Sequence, residues 1–215
     1  MSFLNQLKQQ AQTLQNQQGA HQQQSDAQLE RTEAACKVVW QYLMELPRQL
    51  NVIEPASAAL SLDGKTPWPD MKQHDFRFDA RKKTLRDKEV FDYLAIGWYL
   101  SPRQPLKEKG RVSVNFPPDL ERVERRLQAG QVPHDRLEFR HPDTHRLQRI
   151  VFEHGYAARA SVVFTPDHDA GSFKVRLVGV GGLETMNTLY PVVQLNTAAL
   201  DELAKLIVGE HSRFI

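Results

Sequence analysis

The first 28 residues constrain this chain more than any other part, because eleven of them are glutamine. No proline occurs before Pro47, so the backbone can remain helical from the first residues to that point. Leu4, Leu7 and Leu14 recur at the spacing of one helix face. We therefore predict a helical arm over residues 1–50, glutamine-rich to about residue 28. A disordered, low-complexity tail is the alternative interpretation of the same composition.

A more apolar stripe continues the helical spacing from Leu29 to Leu50, past Pro47. Its members recur every seven residues: Leu29, Cys36, Leu43 and Leu50. Such a stripe is typical of a helix that packs on a core. Pro47 and Pro55 are expected to end this helix. Cys36 lies on the stripe, where a small buried side chain is a simpler interpretation than a reactive nucleophile.

The composition is that of an ordinary folded protein. Charged residues make up 25% of the 215 positions and hydrophobic residues 40%, which excludes a disordered chain. The net charge of +2 gives no reason to expect a polyanionic partner. A single cysteine excludes an intrachain disulfide and a cysteine-rich zinc site. No signal-like or membrane-spanning segment is visible, so we expect a cytoplasmic protein that does not insert into a membrane. No motif indicates a cofactor.

After Pro55 the pattern changes from helical spacing to alternation. Leu94, Ile96 and Trp98 alternate with other residues and predict the strongest strand. A shorter alternation over residues 58–62 predicts another strand. Three segments place an aromatic residue before a polar turn and an apolar residue after it, and each predicts a β-hairpin: residues 78–85, 139–147 and 164–173.

Two further helices are expected, from Pro117 to Gly130 and from Thr197 to Gly209. Hairpins with few crossover helices favour an α+β protein. We therefore predict an α+β domain over residues 51–215, in which an antiparallel, hairpin-rich sheet is covered on one face by helices.

The histidines are the candidate metal ligands: His141, His145, His154 and His168. A divalent ion such as Zn²⁺ needs three or four donors that converge on one point. His141 and His145 are four residues apart, a spacing that brings side chains together on a helix. Pro142 and Asp143 predict a turn between them instead, so polar hairpin tips are the alternative interpretation.

A basic cluster is the candidate nucleic-acid surface: Arg77, Arg81, Lys82, Lys83, Arg86 and Lys88. Cations interleaved with aromatic rings are typical of such surfaces. The alternative is a solvated hairpin, because Phe76 and Phe78 have the spacing of the buried face of a strand. Arg122, Arg125 and Arg126 could extend the patch, although neighbouring glutamates offset their charge.

No catalytic signature stands out, so we leave open whether the chain is an enzyme and favour a non-enzymatic protein-interaction module. Its partner would be another protein or a second copy, bound through Leu4, Leu7 and Leu14 of the arm. Trp68 lies between two prolines and is a further candidate contact, unless it covers the edge of the sheet. One alternative is a small-molecule or enzymatic pocket between the sheet and the C-terminal helix. The other is nucleic-acid binding through residues 77–88.

Overall fold

The computed structural model describes residues 3–215 and begins with one long helix, α1, which spans Phe3–Ile53 over 51 residues. This helix continues through Pro47, so the expected break at that residue is wrong. Pro47 is buried on the same face as Leu50. Burial of its ring offsets the backbone hydrogen bond that a proline cannot donate. The helix ends where Glu54 takes a positive φ of 43° directly before a second proline.

Within residues 3–215, eight strands and two further α-helices follow α1. In chain order they are β1 (Met71–Leu85), β2 (Lys88–Pro102), β3 (Gly110–Val114), α2 (Pro117–Ala129), β4 (His134–Arg140), β5 (Leu147–His154), β6 (Ala158–Asp167), β7 (Ser172–Val178), β8 (Thr185–Pro191) and α3 (Thr197–Val208). A short 3-10 helix, Val192–Gln194, links β8 to α3. The predicted α+β class is confirmed.

The strands form two antiparallel sheets, whereas the sequence predicts one. The larger sheet has the order β1-β2-β6-β7-β8, and the smaller has the order β3-β5-β4. Neighbouring strands are antiparallel in both. Two predicted hairpins, over residues 139–147 and 164–173, are confirmed as β4–β5 and β6–β7. The turn predicted within residues 78–85 is wrong: β1 continues through this stretch, and the β1–β2 turn falls at Arg86 and Asp87, which take positive φ values of 49° and 59°. In the smaller sheet β5 is the central strand, with β3 and β4 on its two sides.

The larger sheet buries one face. On β2, Leu94, Ile96 and Trp98 are buried, whereas Ala95 and Gly97 on the opposite face are half-buried. This is the predicted alternation. The apolar stripe of α1 packs against β1 and β2. Its core members are at most 3% exposed: Leu29, Cys36, Val39, Leu43 and Leu50.

The last helix closes the same core. Asn196 caps α3 by accepting a hydrogen bond from the Ala199 backbone N–H at 3.1 Å, and Gly209 ends it with a φ of 82°. The helix buries Leu200, Leu203 and Ile207. Beside it, the ring of Phe214 lies 6.5 Å from that of Phe164 on β6. These side chains fill much of the space beside α3, although a cavity of about 400 Å³ remains between Leu206 of α3 and Met186 of β8.

The N-terminal part of α1 extends away from the body. Every described side chain from Phe3 to Gln24 is exposed, and burial begins at Ser25. We call residues 3–24 the projecting segment; at 1.5 Å per residue it is about 33 Å long. Leu4 and His21 lie in the helix, but their side chains fall outside the described part of the structure. No helix in residues 3–215 is long and apolar enough to cross a membrane.

The segment between α1 and β1 differs from the prediction. Residues 58–62 form no strand, and the isolated bridge described in this stretch joins Ala56 to Lys72. Leu60 and Leu62 are nevertheless buried. The alternation reflects burial, but no neighbouring strand of the described chain pairs with these residues, so the segment lies across the core as an extended loop.

Replacing Gly179 with alanine should destabilise the fold by about 1–3 kcal/mol, because two constraints act at once. Gly179 follows β7 with a φ of 72°, and an added Cβ would lie 2.9 Å from the Arg159 carbonyl oxygen. Gly182→Ala is the matched control, since nothing lies within 4 Å of its Cβ position and its φ is not positive. Urea unfolding of both variants measures the difference. Equal stability of the two would show that the turn does not depend on glycine in this way.

Candidate functional site

Three chemically different side chains converge near the point where α1 leaves the body. Glu33 and Cys36 are three residues apart on α1, and His168 directly follows β6. A carboxylate oxygen, the sulfur and a ring nitrogen all lie within 4.8 Å of one another. Among the described residues this is the only group of three or more potential metal ligands that converges in this way. We call these three residues the Glu–Cys–His cluster.

The Glu–Cys–His cluster is buried and hydrogen-bonded. Cys36 is 0% exposed and His168 3% exposed. Glu33 Oε1 lies 2.8 Å from His168 Nε2 and accepts a hydrogen bond from the Phe91 backbone N–H at 3.0 Å. Burial, and then the charge of Glu33, raises the pKa of the Cys36 thiol, so the thiol is protonated at neutral pH. A buried, protonated thiol is a poor nucleophile, which argues against covalent catalysis.

The turn between β6 and β7 fixes the position of His168. Gly171 in this turn has a φ of 62°. The side-chain amide of Gln28 on α1 occupies the space that a Cβ at Gly171 would need. At the neighbouring tip, Arg86 forms an ion pair with Asp169. The cluster is thus held by α1 and by two hairpin tips.

Glu33 also lines a groove of about 990 Å³ between α1 and the β1–β2 hairpin. Phe91 contributes to its apolar floor, and Trp40, 36% exposed, forms part of one side. Lys82 lies with its Nζ 5.5 Å from the centre of the Phe91 ring and 2.8 Å from a Glu89 oxygen. The Glu33 side chain is 17% exposed, so part of it remains accessible from this groove.

A second cavity, of about 590 Å³, lies between α2 and the outer face of the larger sheet. Four arginines line it: Arg122, Arg125, Arg126 and Arg176. Glu184 is the only carboxylate that the described residues contribute to its lining. We call this cavity the arginine cleft. Its lining carries a net positive charge, which favours anions.

Two of these arginines form ion pairs within the protein. Arg122 pairs with Asp119 at 2.5 Å, and Arg126 pairs with Glu184 at 2.7 Å. Arg126 also donates to the Leu62 carbonyl oxygen at 3.1 Å, which fixes the loop before β1. Arg125 and Arg176 differ from them, since neither is in an ion pair with any described residue.

The four predicted histidines do not come together. His141 and His145 lie at the tip of the β4–β5 hairpin, joined by a backbone hydrogen bond of 2.9 Å. His154 lies at the other end of β5 and is 2% exposed. Burial lowers its pKa and favours the neutral ring. His168 belongs to the other sheet, in the Glu–Cys–His cluster.

Trp68 lies in the core rather than on an exposed contact surface. It is 8% exposed. Its ring stacks on His154 at 5.4 Å and meets the edge of Tyr156 at 5.6 Å. Packing against two aromatic rings explains why the segment between its flanking prolines folds inward.

Every cation of the predicted nucleic-acid surface has a carboxylate partner within 4.0 Å. The pairs are Arg77–Asp75, Arg81–Asp92, Lys82–Glu89, Lys83–Asp92, Arg86–Asp169 and Lys88–Glu30. Phe76 is buried and Phe78 half-buried. The carboxylates offset the charge of this hairpin, and Phe76 and Phe78 are not exposed for stacking. Nucleic-acid binding through residues 77–88 stays a prediction.

Sequence reasoning named His168 and three arginines of α2 as candidates, but it assembled neither of the two polar sites. Glu33 and His168 are 135 positions apart, so only the fold brings them together. One local signal existed: Glu33 precedes Cys36 by three residues, which places both on one helix face. For the arginine cleft, the glutamates next to the arginines of α2 offset their charge in the sequence, so the sequence did not indicate a basic cavity. Glu124 instead lies 3.6 Å from Arg136, outside the cleft.

Comparison of the chain with protein-family models, with curated proteins and with solved structures finds no match. The geometry of the chain itself is therefore the basis for assigning a function.

Replacing Asp63 with alanine should loosen the loop that supports the arginine cleft. Hydrogen bonds from Thr66, Lys65 and Ser61 outweigh the opposing effect of burial and lower the pKa of Asp63 to about 2. A depressed folded-state pKa means that this stabilisation is complete above about pH 4 and is lost as the pH falls through 2. We expect a loss of about 1–2 kcal/mol at pH 7, after allowance for solvent screening.

Unfolding by urea at pH 7 and near pH 2.5 checks the Asp63 prediction. The destabilisation should shrink at the lower pH. Asp135→Ala is the control, because that side chain is 64% exposed and pairs only with Lys109 among the described residues; it should change little at either pH. A constant difference for Asp63→Ala at both pH values would refute the assignment.

Proposed function

We propose that this chain is a non-enzymatic interaction module that self-associates through the projecting segment. One observation carries the proposal: residues 3–24 form an exposed helix whose first half, residues 3–14, carries large apolar side chains on one face. Phe3, Leu7 and Leu14 are 73%, 45% and 59% exposed. They fall on the face that, further along α1, packs on the sheet.

The projecting segment lacks the internal support that an isolated helix needs in water. Short helices are marginal without tertiary packing, and Gly19 lowers the helix propensity further. The only side-chain hydrogen bonds described for residues 3–24 are Thr13 to the Gln9 carbonyl oxygen at 2.9 Å and Gln22 to Asp26 at 3.3 Å. A second helix packed alongside would supply the missing stabilisation.

A second copy of the same chain suits this surface. Lys8 is the only Asp, Glu, Lys or Arg in residues 3–24, so two copies would repel each other little. Glutamine side chains both donate and accept hydrogen bonds, which makes the glutamine-rich helix complementary to itself. Charged partners would find almost nothing to pair with.

The expected association is weak. Three large apolar side chains per copy contribute roughly 1.5–3 kcal/mol each when buried. The loss of translational and rotational freedom costs about 4–15 kcal/mol. For two copies the central values, a gain of about 13 kcal/mol against a cost of about 10 kcal/mol, leave only a few kcal/mol. Association should therefore be weak and should depend on concentration.

The double variant Leu7→Lys/Leu14→Lys should abolish self-association, because it places charge on the apolar face. Gln9→Lys/Asn16→Lys is the matched control: it adds the same charge to the opposite face of the same helix and should associate much like the unchanged chain. Sedimentation equilibrium over a hundredfold range of concentration measures all three. A monomer at every concentration for the unchanged chain, or equal association of the two variants, would overturn the proposal.

We also infer, as a second candidate function, that the arginine cleft binds a small molecule carrying phosphate or carboxylate groups. The observation that favours it is the pair Arg125 and Arg176, which line the cleft without a carboxylate partner among the described residues. Guanidinium groups bind such anions with two hydrogen bonds. Ser161 and Thr185 add hydroxyl groups to the lining. A volume of about 590 Å³ suits a ligand of metabolite size.

Arg125→Gln/Arg176→Gln should weaken binding of pyrophosphate or citrate at least tenfold, measured by calorimetry at low salt. Arg77→Gln/Arg111→Gln is the control with the same loss of charge, because both of those arginines pair with carboxylates elsewhere. If neither anion binds to the unchanged chain, or if the two double variants bind equally, the cleft is excluded as an anion site.

A further inference from the structure

We propose that Glu33, Cys36 and His168 bind a divalent transition-metal ion of the zinc type at the base of the projecting segment. Zn²⁺ takes thiolate, imidazole and carboxylate ligands at about 2.0–2.3 Å, and this cluster offers one of each. A thiolate beside an imidazole selects against Mg²⁺ and Ca²⁺, which prefer oxygen donors. The proposal is independent of self-association and of anion binding.

The spacing of the donor atoms is close to what such an ion requires. Tetrahedral coordination at those bond lengths separates the donors by about 3.3–3.8 Å. Here they lie within 4.8 Å of one another, with Glu33 Oε1 and His168 Nε2 at 2.8 Å. The long Glu33 side chain needs only small rotations to admit the ion. Cys36 is held on the rigid α1, and His168 by the β6–β7 turn.

Three protein ligands leave a fourth coordination position. Glu33 lines the groove beside the β1–β2 hairpin and is 17% exposed, so water can reach that position. Such an open site differs from a closed structural site with four protein ligands. The Phe91 backbone N–H, which already donates to Glu33, would orient the carboxylate from outside the coordination shell.

Binding involves proton transfer but no change of oxidation state. The Cys36 thiol releases its proton to solvent, and the sulfur binds as thiolate. The ring hydrogen of His168 moves to Nδ1, so that Nε2 can bind the ion. The hydrogen bond between His168 and Glu33 is replaced by two metal–ligand bonds.

Titration of the full-length, chelator-treated chain with ZnCl₂ by calorimetry tests the site. We expect one ion per chain with a dissociation constant below about 1 µM. Cys36→Ser and His168→Gln should each weaken binding at least about 100-fold, because even the loss of an outer-shell partner costs about 10–100-fold. His141→Gln/His145→Gln, at the β4–β5 tip, is the control and should bind like the unchanged chain.

Cobalt keeps the test decisive even if a variant fails to fold. Co²⁺ added to the unchanged chain should give the near-ultraviolet charge-transfer absorption of a thiolate–cobalt bond, which only Cys36 can supply. Circular dichroism of the metal-free variants confirms folding. The proposal is overturned if zinc does not bind stoichiometrically, if the thiolate–cobalt band is absent, or if folded Cys36→Ser retains the affinity.

Discussion

The contact between the apolar stripe of α1 and the larger sheet is the interaction that positions the other elements of this protein. Leu29, Leu43 and Leu50 are at most 3% exposed, and burial of each contributes about 1.5–3 kcal/mol. Without this helix the inner face of β2, with Leu94 and Ile96, would be open to water. The stripe therefore sets where the helix lies, and with it the position of the Glu–Cys–His cluster and of the projecting segment.

The contact has two consequences, the assembly of the Glu–Cys–His cluster and the exposure of the projecting segment, and both involve α1. Packing of the stripe turns Glu33 and Cys36 towards the β6–β7 turn, where they meet His168. On the N-terminal side of Ser25, the same face of the helix has no sheet to pack on within the described residues. The helix thus joins a buried polar cluster to exposed apolar side chains, and Leu14, the nearest of these, lies about five turns or about 28 Å from Glu33 along the helix.

The elements that local chemistry specifies could be predicted from the sequence. The alternation through Leu94 and Ile96 identifies β2, and the turn residues identify the β4–β5 and β6–β7 hairpins. Pro47 misled the prediction, because its cost to the helix is local whereas the burial that offsets it is tertiary. The division into two sheets and the meeting of Glu33 with His168 both depend on the complete fold. Neither leaves a pattern in a short stretch of sequence.

Amide hydrogen exchange along α1, followed at several protein concentrations, would show how each part of this helix is held. We predict slow exchange for residues 29–53 at every concentration, because that part of the helix is held by the core. Residues 5–24 should exchange fast when the chain is dilute and slow as it associates. Fast exchange throughout residues 29–53 would contradict the role given to the apolar stripe. Exchange of residues 5–24 that does not change with concentration would contradict self-association through the projecting segment.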